Sequence, residues 1–312
     1  MDFKFYDEVD PVQANEIMLI SHNAPNTQKS VARIRHFDPF CSPWFRMYAL
    51  EGRKVVAQVG AAYPTIETTE GTVKAGFIEA VAGMPSVARK GYAKTLMKKV
   101  HEQMLDDGIE VFILGTSRIL VAYSMYPKVG YHEIAPFNWG LKKAQKYPDT
   151  GLTLKIRRHK ADAGDRMFKE FTTGQLGFVH RPSEYPRLRS SWGDGMYNKA
   201  VTILRDGKPV GYALIRLMDT FLNVRELVCP DPKDFEPCLR TLENRFGKEF
   251  VTNSLCGRNA IFNRYLERGA KPMESWGVLM AMDAKGKMSQ KQVKSLLGID
   301  KDRFQIFTLD TY

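Results

Sequence analysis

Residues 79–100 have the sequence EAVAGMPSVARKGYAKTLMKKV, which joins the end of a strand, a short loop and an amphipathic helix. Between residues 91 and 107 the apolar side chains recur at helical spacing and form one face. Asp107 and Gly108 end this pattern, as polar residues and glycine commonly end helices. The apolar face consists of Ala93, Leu96, Met97, Val100 and Met104. The sequence therefore predicts a helix that begins at Gly91.

The start of this helix has the features of an anion-binding site. The first backbone N–H groups of a helix have no intrahelical partner, and the helix dipole adds about half a positive charge there. A diphosphate is stabilised by such a helix start. Gly91 lets the backbone come close to phosphate oxygens, and Arg89 and Lys90 add positive charge. The chain has no GxxxxGK[ST] motif and no GxGxxG motif in a βαβ unit, so neither ATP nor NAD is indicated.

The elements around this loop predict a mixed sheet flanked by helices. Two helices follow a short strand within the first 40 residues, and a hairpin turns at Glu51 and Gly52. A second turn at residues 68–72 leads into the strand before the loop. After the long helix we expect a buried strand at 110–117, a short helix at 120–130 and a final strand at 131–141.

The second half of the chain repeats this order of elements. We expect a hairpin at 200–217, a strand at 223–228, a helix at 232–247, a strand at 250–256 and a helix at 259–270. Glu79 and Glu226 occupy matching places in the strand before each long helix, and Tyr126 and Tyr265 each precede a helix-ending glycine by four residues. We therefore interpret the second half as a diverged copy of the first.

The polar, turn-rich segment at residues 142–151 separates the two copies. The expected fold class is mixed, α+β or α/β, with a mostly antiparallel sheet and flanking helices in each domain. The predicted domains are residues 1–145, residues 152–284, and a tail of residues 285–312 with a short helix and an extended end.

Residues 81–96, VAGMPSVARKGYAKTL, resemble the acetyl-CoA motif of the GCN5-related N-acetyltransferase (GNAT) superfamily, written [RQ]-x-x-G-x-[GA]. The match runs from Ala88 to Ala93 and departs from the motif at Ala88, where the family has Arg or Gln. The order of elements over roughly residues 1–145 also follows that family. The resemblance implies that acetyl-CoA is held mainly by backbone N–H groups. The implied cofactor-binding residues are Val81, Ala82, Gly83, Ala88, Arg89, Lys90, Gly91, Tyr92 and Ala93.

Acetyl transfer from a thioester to an amine needs a proton acceptor, an oxyanion site and a proton donor for the leaving thiolate. The resemblance implies that Glu79 takes the amine proton and that Tyr126, in YPKVGY, protonates the thiolate. It also implies that a backbone N–H near residues 81–83 binds the oxyanion. A solvent-facing Glu79 and a core-packed Tyr126 are the structural alternatives. His101 and His132 are rival bases, which we expect to be packing or surface residues.

The second copy has no glycine after the strand at 223–228, and Asp231, Asp234 and Glu236 stand where a phosphate site needs bare backbone. Their negative charges would repel CoA, so we expect no acyl-CoA site there. Tandem GNAT proteins with one silent half include mycothiol synthase and the Eis group. In Eis-type enzymes the terminal carboxylate enters the active site, so the resemblance makes Tyr312 a further catalytic candidate.

Composition limits the remaining functions. The net charge is +11; residues 1–150 have 18 Lys and Arg against 16 Asp and Glu, so most of the positive charge lies in the second half. No Lys/Arg block with interleaved aromatic residues is present, so nucleic-acid binding is not expected.

The four cysteines form no CxxC pair and the histidines no HExxH motif, so we expect no metal. The start lacks signal-peptide features and no apolar stretch could span a membrane, so we expect a cytoplasmic protein without a membrane partner.

These observations predict a cytoplasmic N-acetyltransferase with acetyl-CoA as co-substrate and a primary amine, on a small molecule, as acceptor. The acceptor's identity and the oligomeric state cannot be derived from the sequence. A non-catalytic acyl-CoA sensor is an alternative because of Ala88. An aminoacyl transferase that uses charged tRNA is a further alternative because of the basic second half.

Overall fold

The structure is a computed structural model that describes residues 1–23, 27–157, 163–190, 197–257, 259–307 and 310. The strands are β1 (Asp2–Phe5), β2 (Cys41–Glu51), β3 (Lys54–Ala62), β4 (Thr65–Thr68), β5 (Gly71–Gly83), β6 (Val111–Ser117), β7 (His132–Lys143), β8 (Leu152–Arg157), β9 (Lys199–Arg205), β10 (Lys208–Leu217), β11 (Phe221–Val228), β12 (Phe250–Gly257), β13 (Lys271–Met273), β14 (Gly277–Asp283) and β15 (Gln305–Ile306). The α-helices are α1 (Pro11–His22), α2 (Gln28–Phe37), α3 (Tyr92–Asp106), α4 (Gly164–Thr172), α5 (Tyr185–Ser190), α6 (Phe235–Phe246), α7 (Asn259–Glu267) and α8 (Gln290–Leu296).

The chain forms two compact units. Unit 1 contains Met1–Ile134 and Gly277–Leu296, and unit 2 contains Ala135–Trp276 and most of the residues after 296. In unit 1 the sheet has the order β1-β2-β3-β5-β6-β14, with β4 on β5. All of these pairs are antiparallel except β5 with β6. This is the mixed, mostly antiparallel sheet that the sequence predicts.

Unit 2 repeats this plan with the order β8-β9-β10-β11-β12-β7, in which β11 and β12 form the parallel pair. The units therefore differ from the predicted domains in two places. The final strand predicted for the first domain lies mostly in unit 2, because Phe137–Lys143 of β7 pair with β12. Residues 277–296 lie in unit 1, because β14 pairs with the whole of β6.

Most of the predicted elements of the first half are present. Helices α1 and α2, the hairpin at Gly52, helix α3 and strand β6 lie where the apolar patterns indicate. The predicted short helix at 120–130 is instead two 3₁₀ turns, Val121–Ser124 and Tyr126–Val129. Pro127 lies in the second turn and Gly130 ends it with φ +107°, so an α-helix does not form over this segment.

The core of unit 1 lies where the apolar face of α3 covers the sheet. Leu96, Met97, Val100 and Met104 are fully buried where α3 packs against β2, β3 and β5. His101 is buried on the same helix, where its ring stacks on Phe112 and its Nε2 lies 3.1 Å from the Tyr131 hydroxyl. His101 is therefore a packing residue, as the sequence analysis expects.

Burial of His101 predicts an acid-dependent loss of stability. Burial lowers the pKa of His101 to about 4, whereas the unfolded chain titrates near 6.5. A histidine with a depressed folded pKa contributes stability that is fully present above pH 6.5 and is lost as the pH falls towards 4, up to about 3 kcal/mol. His101→Gln is expected to flatten this part of the pH dependence in urea unfolding. The exposed His36→Gln is the control, and an equally steep loss in His101→Gln would contradict the assignment.

Candidate active site

The sheet of unit 1 opens beside the loop that the sequence analysis singled out. Strands β5 and β6 pair in parallel over three residue pairs, from Ala75 with Val111 to Phe77 with Ile113. Both strands continue beyond this point, to Gly83 and Ser117. The backbone groups of β5 after Phe77 therefore leave the β6 ladder, and the edge that they form is available to a ligand.

A β-bulge produces this divergence. The register of β5 against β3 shifts between the pairs Glu79 with Gly60 and Ala82 with Gln58, so β5 has one extra residue. Ala80 in the bulge has a φ of +50°, which is uncommon for a residue with a Cβ atom. The buried side chain of Gln58 donates from Nε2 to the Ala80 carbonyl at 3.0 Å and thereby holds the bulge.

The loop that follows, residues 84–91, exposes its backbone at the start of α3. Its own turns use the N–H groups of Val87, Ala88 and Lys90, which donate to the carbonyls three residues earlier at 3.1 Å. In the part of the chain that the structure describes, the N–H groups of Gly91 and Tyr92 have no acceptor, and no side chain caps the helix. These groups remain for a bound anion.

The conformation of the loop depends on left-handed residues at Arg89 and Gly91, with φ values of +65° and +85°. No atom lies within 4 Å of the position that a Cβ on Gly91 would occupy. The space above Gly91 is therefore open, as a diphosphate site requires. Ala88 is exposed, so the departure from the family motif does not block the loop.

The remaining residues of the predicted cofactor set differ in what they can offer. Ala82 is buried in the core and Val81 and Tyr92 pack against it. The Tyr92 hydroxyl donates to Glu51 Oε1 at 2.5 Å, so the Tyr92 side chain has a partner elsewhere. Tyr92 and Ala82 can therefore contribute mainly backbone groups to a ligand.

Glu79 lies half-buried at the start of the bulge, opposite Gly60. Burial and the nearby negative charges, including that of Glu79, raise the pKa of the Cys41 thiol to about 12. Arg46, which is buried, lies beside Glu79, since a Cβ on Gly60 would contact side-chain atoms of both residues. Glu79 is thus neither a fully solvent-facing nor a fully buried carboxylate.

Tyr126 lies in the second 3₁₀ turn and is buried in the same apolar cluster as Val81 and Tyr92. Its ring packs edge-on to Tyr131, with 6.0 Å between the ring centroids. Burial raises the pKa of Tyr126 to about 12, so its hydroxyl is protonated at neutral pH. Tyr126 is therefore packed in the core, and its hydroxyl also carries the proton that a proton donor needs.

His22, at the end of α1, is a candidate that the sequence analysis did not identify. Its ring lies close to the backbone of Val81, in the bulge. The pKa of His22 is below its ordinary value, first because its ring is partly desolvated and second because of the charge of Arg46. A neutral imidazole beside the bulge can accept a proton. Only the tertiary contact identifies this residue, since a histidine at a helix end has no sequence signature.

Some sequence predictions cannot be followed in the structure. Tyr312 lies outside the described residues, so its role remains a prediction. In unit 1, His132 Nε2 lies 3.2 Å from the carbonyl oxygen of Met288, which indicates a packing role. Among the described residues no cluster of three His, Cys, Asp or Glu side chains could hold a metal ion. None of the described helices is long and apolar enough to cross a membrane.

Unit 2 has the counterpart of Glu79 but not the loop. Strand β11 leaves its parallel partner β12 after Val224, and Glu226 follows two residues later, just as Glu79 follows Phe77. The 3₁₀ turn Pro232–Asp234 then runs directly into α6 at Phe235, whereas four residues separate the corresponding turn from α3 in unit 1. The four residues that lead into the helix in unit 1, Gly91 among them, therefore have no counterpart in unit 2.

Comparison with known proteins identifies the first half as an acetyltransferase domain. Residues 7–134 match the family model described as "Acetyltransferase (GNAT) domain". No curated protein sequence matches the chain.

Solved structures share the fold of both halves at low sequence identity. A GCN5-related N-acetyltransferase from Anabaena variabilis superposes with a TM-score of 0.69 at 14% identity, covering 91% of this chain and 73% of that chain. Eis1 from Mycobacterium abscessus gives a TM-score of 0.63 at 13% identity, covering 89% and 73%. A tandem GNAT protein from the clavulanic acid biosynthesis pathway gives 0.54 at 12% identity, covering 91% and 99%.

The crowding between Gly60 and Glu79 gives a prediction for stability. A Cβ on Gly60 would lie 3.1 Å from Glu79 Cγ and Oε1 and 3.2 Å from Arg46 Cγ. Gly60→Ala is expected to lower the free energy of unfolding by about 1–2 kcal/mol, because these side chains must move. Gly83→Ala, on the facing strand, is the control, since the nearest atom to its Cβ is 3.9 Å away. Equal urea-unfolding curves for the two variants would contradict the predicted crowding.

Proposed function

We propose that the chain, an acyltransferase whose residues 7–134 match the GNAT acetyltransferase family model, transfers an acetyl group from acetyl-CoA to a primary amine of a small molecule. The observation that carries this proposal is the open loop at Gly91 beside the diverging strands β5 and β6. The loop offers backbone amides for a diphosphate, and the edge of β5 offers backbone groups to the arm of the cofactor. Acetyl-CoA supplies the activated thioester.

The proposed reaction is a direct attack. The neutral amine nitrogen attacks the thioester carbonyl carbon, the C–S bond breaks and the thiolate leaves as CoA. One proton goes from the amine to a base, and one goes from the Tyr126 hydroxyl to the thiolate sulfur. The developing oxyanion would be met by a backbone N–H near residues 81–83. Since the pKa of Tyr126 is about 12, the phenol holds its proton until the thiolate forms.

Two described groups compete for the role of base. Glu79 supplies a carboxylate at the start of the bulge, and His22 supplies an imidazole that lies close to the bulge backbone. Glu79 is our primary candidate, because it lies on the strand edge from which the cofactor would be approached.

The loop can be tested with a pair of glycines of the same geometry. Gly91 and Gly108 have φ values of +85° and +77°, and at neither residue does an atom lie within 4 Å of the position that a Cβ would take. Alanine at either position is expected to cost about 1 kcal/mol of stability, from the left-handed backbone. Only Gly91→Ala is expected to weaken acetyl-CoA binding, by at least about tenfold, because its methyl group would occupy the diphosphate position.

Titration calorimetry with acetyl-CoA and urea unfolding measure the two effects separately. An unchanged dissociation constant in Gly91→Ala would remove the main support for the proposed cofactor site.

The catalytic roles can be separated by kinetics. Glu79→Gln and Tyr126→Phe are each expected to lower kcat by about 10²-fold, with acetyl-CoA affinity nearly unchanged, because each removes a positioned proton transfer. Glu70→Gln, in the exposed turn before β5, is the control. The assay follows free CoA thiol on a panel of primary amines. If His22→Gln loses activity while Glu79→Gln keeps it, the base is His22 and our assignment of Glu79 is wrong.

A further inference from the structure

Unit 2 contains a cavity of about 300 Å³ that the proposed acetyl transfer does not use. Helix α4, residues 178–182 and strand β10 form its walls. Its apolar lining consists of Phe168, Phe178, Pro182, Pro186, Tyr212 and Leu214. Protein interiors are close-packed, and spaces of this size with aromatic walls are typical of small-molecule sites.

The internal repeat indicates what kind of site this is. In unit 2 Leu214 is paired with Glu226, just as Gly60 is paired with Glu79 in unit 1. Leu214, which lines the cavity, therefore has the same position in unit 2 that Gly60, beside the candidate base Glu79, has in unit 1. Because the amide-bearing loop is missing in unit 2, this cavity has no diphosphate site. We therefore expect binding without acyl transfer.

The guanidinium of Arg181, on the cavity wall, is already paired with two carboxylates. Arg181 Nη1 and Nη2 donate to the Glu226 carboxylate at 2.9 and 2.8 Å, and Nε and Nη2 donate to the Asp310 carboxylate at 2.8 and 2.7 Å. All three side chains are at least 96% buried. The Tyr212 hydroxyl adds a bond to Glu226 Oε1 at 2.6 Å.

This cluster sets the charge that a ligand would encounter. A guanidinium has five N–H groups, and the four bonds leave one, on Nη1, without an acceptor among the described residues. An anionic ligand at Arg181 would come close to two buried carboxylates. A cationic ligand would meet Lys169, which lines the cavity together with Asp165, so these two charges of the lining have opposite signs and neither sign of ligand charge is favoured by them. Either charge would also lose its hydration on entry.

We propose that this cavity binds an uncharged, mostly apolar molecule of about the size of one substituted ring, with a carbonyl or hydroxyl oxygen that accepts from Arg181 Nη1. The rings of Phe168 and Phe178, whose centroids lie 6.2 Å apart in an edge-to-face arrangement, form the apolar wall for its body. Thr172 and Leu214 also line the cavity. The residues that line the cavity do not include Glu79 or any residue of the loop at 84–91, so this proposal does not depend on the proposed acetyl transfer.

Three probes of the same shape test the charge preference. Phenylacetamide is neutral, phenylacetate is anionic and phenethylamine is cationic at pH 7. Phenylacetamide is expected to bind at least about tenfold more tightly than the other two in calorimetric titrations of the full chain. With methyl-labelled protein, ring-current shifts are expected at the methyl groups of Leu214 and Thr172. No saturable binding of phenylacetamide, or tighter binding of either charged probe, would overturn the proposal.

A cavity-filling variant locates the bound probe. Leu214→Phe puts a ring into the cavity and is expected to weaken phenylacetamide binding at least about tenfold. Leu154→Phe, on β8 and away from the cavity lining, is the matched control. Circular dichroism melting checks that both variants fold. If Leu214→Phe does not fold, the methyl shifts of the wild-type chain decide the question, since shifts confined to methyl groups that do not line the cavity would also overturn the proposal.

Discussion

The parting of β5 from β6 after Phe77 is the constraint from which the proposed chemistry follows. Three residue pairs, from Ala75 with Val111 to Phe77 with Ile113, hold β5 and β6 together in parallel. The bulge at Ala80 then turns the rest of β5 away from β6. A flat, fully paired sheet would satisfy every backbone group and leave no ligand site. The bulge leaves free the backbone groups that we propose for cofactor binding, and the loop then starts α3 beside them.

The bulge and the loop contain strained backbone that neighbouring side chains hold in place. Ala80 and Arg89 both have positive φ values although each has a Cβ atom, and such conformations persist only when neighbouring contacts impose them. For Ala80 the neighbour is Gln58, a buried polar side chain in the middle of an otherwise apolar strand. From the sequence, Gln58 is an unexplained interruption of an apolar strand pattern. In the structure it is the donor that holds the bulge carbonyl.

The sequence predicts features that depend on neighbouring residues, such as Gly91, better than features that depend on distant contacts, such as the role of Gln58. Gly91, the helix start and the apolar face of α3 are local features, and each has a direct signature in residue type and spacing. The bulge, the contact of His22 with Val81 and the pairing of β14 with β6 join residues that are distant in the chain. Periodicity contains no information on which distant strands pair, so the predicted domain limits differ from the compact units. Proline and glycine did indicate a break near Tyr126, but they did not distinguish a short α-helix from two 3₁₀ turns.

The two copies have matched carboxylates in opposite surroundings, and this difference separates their chemistry. Glu226 is fully buried and accepts hydrogen bonds from Arg181 and Tyr212, so its lone pairs are committed and its charge is compensated. A carboxylate in that state is not available to a substrate, because a new contact would break bonds to a buried guanidinium. Glu79 is only half-buried and lies beside an open strand edge. In unit 2, therefore, the missing loop and the ion pair of Glu226 with Arg181 occur together, whereas unit 1 combines the open loop at Gly91 with a half-buried Glu79.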